Sequence, residues 1–403
     1  MNNLNKHINH LEDIVLLNNG KDLYLINEIF KNLLDCIQYY KNPYTDDFKI
    51  SLKIDGSPAV LIWNSFNELI KPGISTKSLF NKIPVICYND EDIDKYFGDK
   101  IDLCYKLKSL LKLIPCLNIP DNEIWQGDFL FDDKTINVKK IHNKEYYTFK
   151  PNTLVYAIEK ENRNPHLKKI IGNKKVGVIF HTKYTGTSLN DLNIDSNIDV
   201  VNQLSIINEL FAIDPYIKSL ETNFNENEFK YVFYLMSEIY DYLEYLHESK
   251  NYYNIINELS EYFILYNNYL IKNNLNNESF IEEFSLFIKL RFEKQINERK
   301  TELSKFKLNK QLEYILNIIN ENEDLFIFIN NTMKSVAKLK EIFIKKLNEN
   351  VDWCKTFVEL ENNIYKETEH EGFVININDN LVKLVDRKEF SKLNFSKDVI
   401  KGY

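Results

Sequence analysis

A lysine next to a tight turn is the feature of this 403-residue sequence that points most directly to chemistry. Lys53 lies in ISLKIDGSPAVLIW, between an alternating apolar run and the turn residues Asp55 and Gly56. Asp-Gly is also an ordinary hairpin signal, so these four residues are weak evidence by themselves. An amine in this position could capture a nucleotide by attacking its α-phosphate. A free lysine, with a pKa of about 10.4, is mostly protonated at neutral pH, so burial and neighbouring cations are expected to lower its pKa.

Attack on a phosphate also requires groups that stabilise the developing negative charge, which are a metal ion held by carboxylates and further lysines. The sequence offers both downstream. Asp128 follows a glycine in the apolar run EIWQGDFLF, Glu371 precedes a glycine in HEGFVI, and Lys383 lies in LVKLV. These three side chains are therefore candidates for metal and phosphate binding.

The pattern of apolar and turn-forming residues changes three times along the sequence, and each change predicts a domain boundary. Residues 1–47 have apolar positions at helical spacing and predict N-terminal helices. Residues 48–187 consist of short β-type runs broken by Gly, Pro and Asn-Asp clusters. Residues 188–358 carry long amphipathic patterns with almost no Gly or Pro, and β-type runs resume in residues 359–403. We therefore predict an α+β fold, in which residues 48–187 and 359–403 form one discontinuous domain and residues 188–358 form a large all-helical insertion.

Composition narrows the class of protein. The five cysteines are scattered without a Cys-x-x-Cys pair, which argues against a disulfide framework or a zinc ribbon and favours a reducing, cytoplasmic setting. The sequence lacks a signal peptide pattern and an apolar run of membrane-spanning length, so no membrane association is expected. The net charge of −8 disfavours a uniformly basic surface but allows a local cationic groove.

The densest basic stretch is a candidate surface for nucleic acid. Its members include Lys289, Arg291, Arg299 and Lys300. Such a run could bind a phosphate backbone. Glutamates interrupt it, however, and a solvated helix face with paired charges would look the same.

The order of these motifs resembles that of the covalent lysine nucleotidyltransferase superfamily, which includes ATP-dependent polynucleotide and RNA ligases and mRNA capping enzymes. The resemblance covers roughly residues 48–187 and 365–390. It implies a nucleotidyltransferase domain, ATP-grasp-like and built mainly of antiparallel sheets. It also implies ATP and Mg²⁺, or Mn²⁺, as cofactors.

The resemblance assigns roles to nine residues. Lys53 matches the nucleophile, Asp55 and Gly56 the turn beside sugar and phosphates, Asp128 the contact to ribose and metal, Glu371 the metal-supporting carboxylate, and Lys383 the lysine at the α-phosphate. Lys77 in Ser-Thr-Lys resembles a phosphate-contacting residue, and Tyr156 and Phe180 lie in runs that look like paired strands, one of which supplies a ring over the base. Two departures weaken the match: Asp128 stands where Glu is usual, and only one lysine is present in the last motif. His181 has no role in this pattern and is predicted to be a hydrogen-bonded histidine of the core or rim.

A closer likeness exists to an uncharacterised ligase-like family of tailed phages. It rests on stretches that span almost the whole chain: HLEDIVLLNNG, KIDGSPAV, STKSLFNK, QGDFLF, FKPNTLVYAI, GVIFHTKYTG, ERKTE, VKLVDRKEFSKLNFS and the terminal KGY. This likeness implies a viral protein in the host cell cytoplasm.

The expected function is that of an ATP-dependent ligase that forms lysyl-AMP at Lys53 and joins 5′-phosphate to 3′-hydroxyl ends. Only some twenty residues follow Lys383, too few for the five-stranded barrel of DNA ligases and capping enzymes. This favours an RNA-ligase-like enzyme, and RNA over DNA as the partner. Three alternatives stay open: a GTP-dependent guanylyltransferase, a catalytically lapsed nucleic-acid-binding relative, and AMP transfer to another kind of acceptor.

Overall fold

The structure of the protein is a computed structural model. It describes residues 8–17, 20–67, 69–161, 176–195, 209–213, 215–275, 279–351, 353–361, 364–378 and 380–388. The fold is mixed α+β with curled antiparallel sheets, which confirms the predicted class at that level.

Eight α-helices lie in the described residues, and five of them follow one another between residues 226 and 348. Their bounds are α1 Gly20–Gln38, α2 Asp90–Phe97, α3 Ile101–Leu111, α4 Glu226–Glu248, α5 Lys250–Asn273, α6 Phe280–Glu298, α7 Glu302–Glu321 and α8 Glu323–Asn348. Short 3₁₀ helices cover Leu11–Leu16, Lys77–Phe80 and Ile114–Cys116. Side-chain caps begin several helices: Asn225 forms a capping box with Glu228 at α4, and Ser249 and Thr301 cap α5 and α7. Among these helices, none combines the length and apolar character that crossing a bilayer requires.

Fifteen strands in the described residues form three sheets. Their bounds are β1 Asn9–His10, β2 Phe48–Leu52, β3 Ala59–Trp63, β4 Gly73–Ser75, β5 Glu123–Asp132, β6 Asn137–Ile141, β7 Lys144–Phe149, β8 Leu154–Glu159, β9 Val176–Ser188, β10 Asp191–Asp195, β11 Leu210–Ile213, β12 Lys355–Leu360, β13 Ile364–Thr368, β14 Gly372–Ile377 and β15 Asn380–Val385. The first sheet has the order β1-β15-β14-β2, the second β10-β9-β5-β3-β4 with β11 added parallel to β9, and the third β13-β12-β8-β7-β6. The sequence alone does not indicate β1, β4, β6, β10, β11, β12 or β13.

Several element boundaries differ from the predicted ones. The first N-terminal helix is only the 3₁₀ turn Leu11–Leu16, and the chain before it pairs with β15 as β1. Helices α2 and α3 lie within residues 48–187, where β-type runs dominate the sequence. Strands β10 and β11 and most of β12 fall within residues 188–358, for which the sequence predicts helices. Strands β10 and β11 pair with β9, and β12 pairs with β8 and β13. Pairing at the edge of a sheet depends on a partner strand that is distant in the chain, so the local sequence gives little indication of it.

Helix α1 and the helices from residue 226 onward share one core with a face of the first sheet, whereas α2 and α3 pack against the second sheet. Phe30 of α1 stacks on Phe343 of α8, with ring centroids 5.5 Å apart, and the same core includes Phe373 and Ile375 of β14 and Leu384 of β15. Because side chains alternate along a strand, the neighbouring residues of β14 and β15 face the other side of the sheet. That other side is the floor of a cavity.

Candidate active site

A cavity of about 160 Å³ lies between the first and second sheets. One end is polar and the rest is mainly apolar. Its lining comprises Ile8, Ser51, Leu52, Lys53, Ile54, Asp55, Asp128, Ile179, His181, Thr182, Pro215, Tyr216, Val374, Asn376, Leu381 and Lys383. Four of the predicted site residues, Lys53, Asp55, Asp128 and Lys383, are therefore brought together, although they are more than 300 positions apart at the extremes.

Lys53 is held at the polar end by both its backbone and its amine. It follows β2, and its N–H donates to the carbonyl of Gly372 at 2.9 Å. Its Nζ donates to Asp55 Oδ1 at 2.5 Å and to Glu371 Oε1. Only 13% of the side chain is exposed. The predicted nucleophile and the predicted metal-supporting carboxylate thus form one buried cluster with Asp55.

The charge state of Lys53 differs from the expectation. Burial alone would lower the pKa of Lys53, but the carboxylates of Glu371 and Asp55 outweigh burial and raise the pKa above its ordinary value. The expectation that the surroundings lower the pKa of Lys53 is therefore wrong for the nucleotide-free protein. The neighbours that matter are anions, because the chain folds Glu371 against the amine.

The pKa values of the two carboxyl groups in the cluster are shifted in opposite directions. Burial, and then the charge of Asp55, raises the pKa of Glu371 to about 8 although Lys53 opposes this. For Asp55, burial is outweighed by the Lys53 ammonium and by a hydrogen bond with Glu371, so its pKa is lowered. The three groups titrate as one coupled cluster, in which Asp55 ionises more readily than Glu371 and Glu371 holds a proton more readily.

Gly56 brings this cluster against β5. A Cβ at Gly56 would lie 2.5 Å from the carbonyl oxygen of Phe129 and 2.8 Å from the Cβ of Asp128, so only glycine allows the approach. The Gly56 N–H in turn donates to the Asp128 carboxylate. Burial, together with the charge of Asp55, nevertheless raises the pKa of Asp128 to about 7.

Two further lysines lie near the cluster. Lys383 in β15 is opposite Val374 of β14 and lines the cavity, and burial and the charge of Lys53 lower its pKa. Lys77 is the exposed first residue of a 3₁₀ turn and does not line the cavity, but its charge acts on Asp128 and His181. Lys77 is therefore placed at the rim, within electrostatic range of a bound phosphate.

The two predicted aromatic residues lie in the core rather than at the cavity. Tyr156 is buried in β8, stacks on Phe149 at 5.5 Å, and receives a backbone hydrogen bond from Asp55 on its hydroxyl. Phe180 is buried on the opposite face of β9, edge-on to Trp125 at 5.8 Å. The two strands are also not paired with each other, since β8 and β9 belong to different sheets. This corrects the expectation that one of these rings covers a base.

The cavity instead contains residues that the sequence motifs did not indicate. His181 and Ile179 line it from β9, and Tyr216 lines it from a segment that pairs with β2, where Leu52 donates to the Pro215 carbonyl at 2.8 Å. His181 was expected at the core or rim. Because side chains alternate along a strand, the predicted strand puts His181 on the same face as Ile179, and this is a signal that the sequence contains. No feature of the sequence indicates Tyr216.

A metal ion shared with a substrate stays a prediction for Asp128 and Glu371. In the described ranges, no group of three or more His, Cys, Asp or Glu side chains is arranged to hold a metal ion by itself. Mg²⁺ commonly binds through one or two carboxylates together with substrate phosphates. Asp128 and Glu371 are hard oxygen donors with raised pKa values, and a nearby cation would favour their ionised forms.

The predicted nucleic-acid-binding residues lie in the helical part. Lys289 and Arg291 are on α6, and Arg299 and Lys300 lie between α6 and α7; all four are exposed, and none lines the cavity. Their role in binding nucleic acid stays a prediction.

Comparison with known proteins identifies one family. The model of a family of unknown function (DUF6267) matches residues 5–399, nearly the whole chain. No curated protein and no solved structure matches it.

Proposed function

Because the chain belongs to this family of unknown function (DUF6267), we propose its function from the site itself: it is an ATP-dependent polynucleotide ligase, RNA-ligase-like, that acts through lysyl-AMP at Lys53. The observation that carries the proposal is the position of the Lys53 amine, which lies at the polar end of a cavity with Glu371, Asp55 and Lys383 around it. A lysine held by acids and facing a second lysine is suited to attack a phosphate.

The first step would be attack by Lys53 Nζ on the α-phosphorus of ATP. The N–P bond forms as the bond to the β-phosphate oxygen breaks, and pyrophosphate leaves. The amine must first lose a proton, and the carboxylates of Asp55 and Glu371 in contact with Nζ are the groups in place to accept it. Lys383, from the same sheet, supplies a second positive charge near Lys53 for the α-phosphate.

Two further steps would pass the AMP on. An oxygen of a 5′-phosphate attacks the AMP phosphorus and releases the Lys53 amine, and a 3′-hydroxyl then attacks that 5′-phosphate and releases AMP. Mg²⁺, when bound, would neutralise phosphate charge during these displacements. Asp128 and Glu371 are the residues that would hold it, and the exposed basic residues of α6 and of the turn after it are candidates for binding the strand.

Covalent labelling tests the proposal. Purified protein is incubated with α-labelled ATP or GTP and Mg²⁺ and separated under denaturing conditions. We expect ATP to label the wild type and Lys53→Ala to abolish the label, because that amine is the proposed nucleophile. Lys106→Ala is a matched control: Lys106 is buried to the same extent and pairs with Asp102 at 2.7 Å outside the cavity.

A chase with 5′-phosphorylated RNA or DNA identifies the acceptor. Loss of the label with joining of RNA ends supports the proposal. Labelling by GTP alone would favour a guanylyltransferase, and a label that no strand removes would favour another acceptor. A folded Lys53→Ala protein that still became labelled would overturn the assignment of the nucleophile.

A further inference from the structure

His181 and Asp128 face each other at the cavity wall across a gap. His181 Nε2 and Asp128 Oδ2 are 3.9 Å apart, which is too far for a direct hydrogen bond. A single oxygen between them could lie about 2.8 Å from both. The gap therefore has the size of one bridging hydroxyl group.

The fold holds both groups in this arrangement. In the pairing of β5 with β9, Gly127 is opposite Phe180 and Gln126 is opposite Thr182, so His181 is the extra residue of a β-bulge. A bulge redirects side chains, and here it lets the consecutive residues His181 and Thr182 both line the cavity. About a third of the His181 side chain is accessible, and this surface contributes to the cavity wall.

The remaining polar atoms of the pair are already engaged. His181 Nδ1 is 2.8 Å from Thr182 Oγ1, and the Gly56 N–H donates to the Asp128 carboxylate. This leaves Nε2 as the ring nitrogen directed at Asp128. In either imidazole tautomer a hydroxyl can satisfy both sides, since it donates one hydrogen bond and accepts others. A phosphate would be repelled by the aspartate, whereas a neutral hydroxyl would not.

We propose that His181, together with Asp128, binds a hydroxyl of the nucleotide ribose and makes the site selective for ribonucleotides over deoxyribonucleotides. This inference rests on the proposed function, in which the α-phosphate lies between Lys53 and Lys383. Asp128 and His181 line the same cavity as those lysines, so a ribose attached to that phosphate comes within their reach. His181 is thus a specificity-determining residue that the motif pattern does not contain.

The test compares ATP with 2′-dATP and 3′-dATP as labelling substrates. The wild type is expected to prefer ATP over at least one of the two by about ten- to hundredfold in kcat/KM, the effect of one hydrogen bond involving a charged group. His181→Leu should lose most of this preference, while His181→Gln, which keeps a donor at the same reach, should retain part of it. His247→Leu on α4, outside the cavity, is the control and should leave rate and preference unchanged.

The outcomes separate this inference from the proposed function. Equal loss of labelling with all three nucleotides in His181→Leu, or a wild type that accepts them equally, would overturn the ribose contact while leaving the nucleophile intact. If the wild type is not labelled at all, binding of α,β-methylene ATP and its two deoxy analogues is measured instead. A preference for the ribo form that His181→Leu abolishes would then support the ribose contact without transfer, and the absence of a preference would overturn it.

Discussion

At the scale of single residues, the site is dominated by carboxyl groups that the fold forces close together. The pKa of Asp128 rises to about 7 and that of Glu371 to about 8, chiefly because both are buried and secondarily because Asp55 is nearby. Raised pKa values of this kind are common at functional sites, where groups needed for activity often lower the stability of the fold. The resting protein therefore holds these acids in a state that a bound nucleotide and cation would change.

Asp128→Asn is expected to stabilise the nucleotide-free protein while impairing labelling. The folded-state pKa of about 7 lies above the ordinary 3.8, so the folded protein binds a proton more tightly than the unfolded chain does. Stability is therefore lost as pH rises from 3.8 to 7, and the loss is complete above pH 7. The asparagine lacks this penalty and should raise the free energy of unfolding by roughly 1–3 kcal/mol above pH 7, with little effect near pH 3.8.

Denaturant unfolding at several pH values measures this effect. Asp132→Asn on the same strand is the control, because the Asp132 carboxylate accepts hydrogen bonds from Lys134 and Thr135 and its neutralisation should cost stability. An Asp128→Asn protein that is less stable than the wild type above pH 7 would contradict the raised pKa.

At the scale of elements, the faces of strands decide which residues line the cavity. On β9 the cavity face carries Ile179 and His181, and Phe180 packs into the core. On β14 the cavity face carries Val374, while Phe373 and Ile375 pack against the helices. A shift of one position exchanges the two sets, so the identity of the facing residues is a property of the pairing.

Val374→Phe and Phe180→Leu should have opposite effects. The larger ring at 374 would fill part of the cavity of about 160 Å³ and block labelling by ATP with little loss of thermal stability. Phe180→Leu should cost about 1 kcal/mol of stability and leave the dependence of labelling on ATP concentration unchanged, because that ring contacts Trp125. Thermal unfolding and labelling at graded ATP concentrations measure both effects. If the Phe180→Leu protein needed far more ATP for labelling, this would show that Phe180 contacts the nucleotide and would contradict its assignment to the core.

At the scale of the whole molecule, a buried ion cluster joins the helical part to the first sheet. Lys340 of α8 pairs with Glu12 at 2.7 Å, and Arg387, just after β15, contacts Glu12 and Asp13. Burial alone would raise the pKa of Glu12, but Lys340 and Arg387 outweigh burial and lower it. The strand that carries Lys383 is thereby tied to the longest helix in the described part of the chain.

Lys340→Met is expected to lower the free energy of unfolding by about 3–5 kcal/mol, because Glu12 loses a partner in a buried position. Since the Glu12 pKa is lowered, its contribution is present above the ordinary value of 4.5 and is lost as pH falls below it. Denaturant unfolding measures the loss, and adding Glu12→Leu should restore part of it. Lys346→Met is the control on the same helix: its partners Glu228 and Glu349 are partly exposed, so the cost should be about 1 kcal/mol or less. Equal losses in the two variants would contradict a special role for the buried pair.

Alternating runs and long amphipathic patterns are enough to predict the α+β class. The motifs also single out Lys53, Asp128 and Lys383, which line one cavity, and Glu371, which contacts Lys53. These features are local, since they depend on residue type and short spacing, which the chain carries wherever it folds.

The neighbours that complete the site, and the direction in which they shift its pKa values, follow from the folded chain and not from the local sequence. The fold placed Glu371 on the Lys53 amine, which raises the pKa that we expected to be lowered, and it turned His181 rather than Phe180 toward the cavity through a bulge. It also brought in Tyr216 by pairing its segment with β2. Each of these three outcomes depends on strand register and on contacts between residues far apart in the chain. The local sequence around a residue specifies neither the register nor the distant contacts.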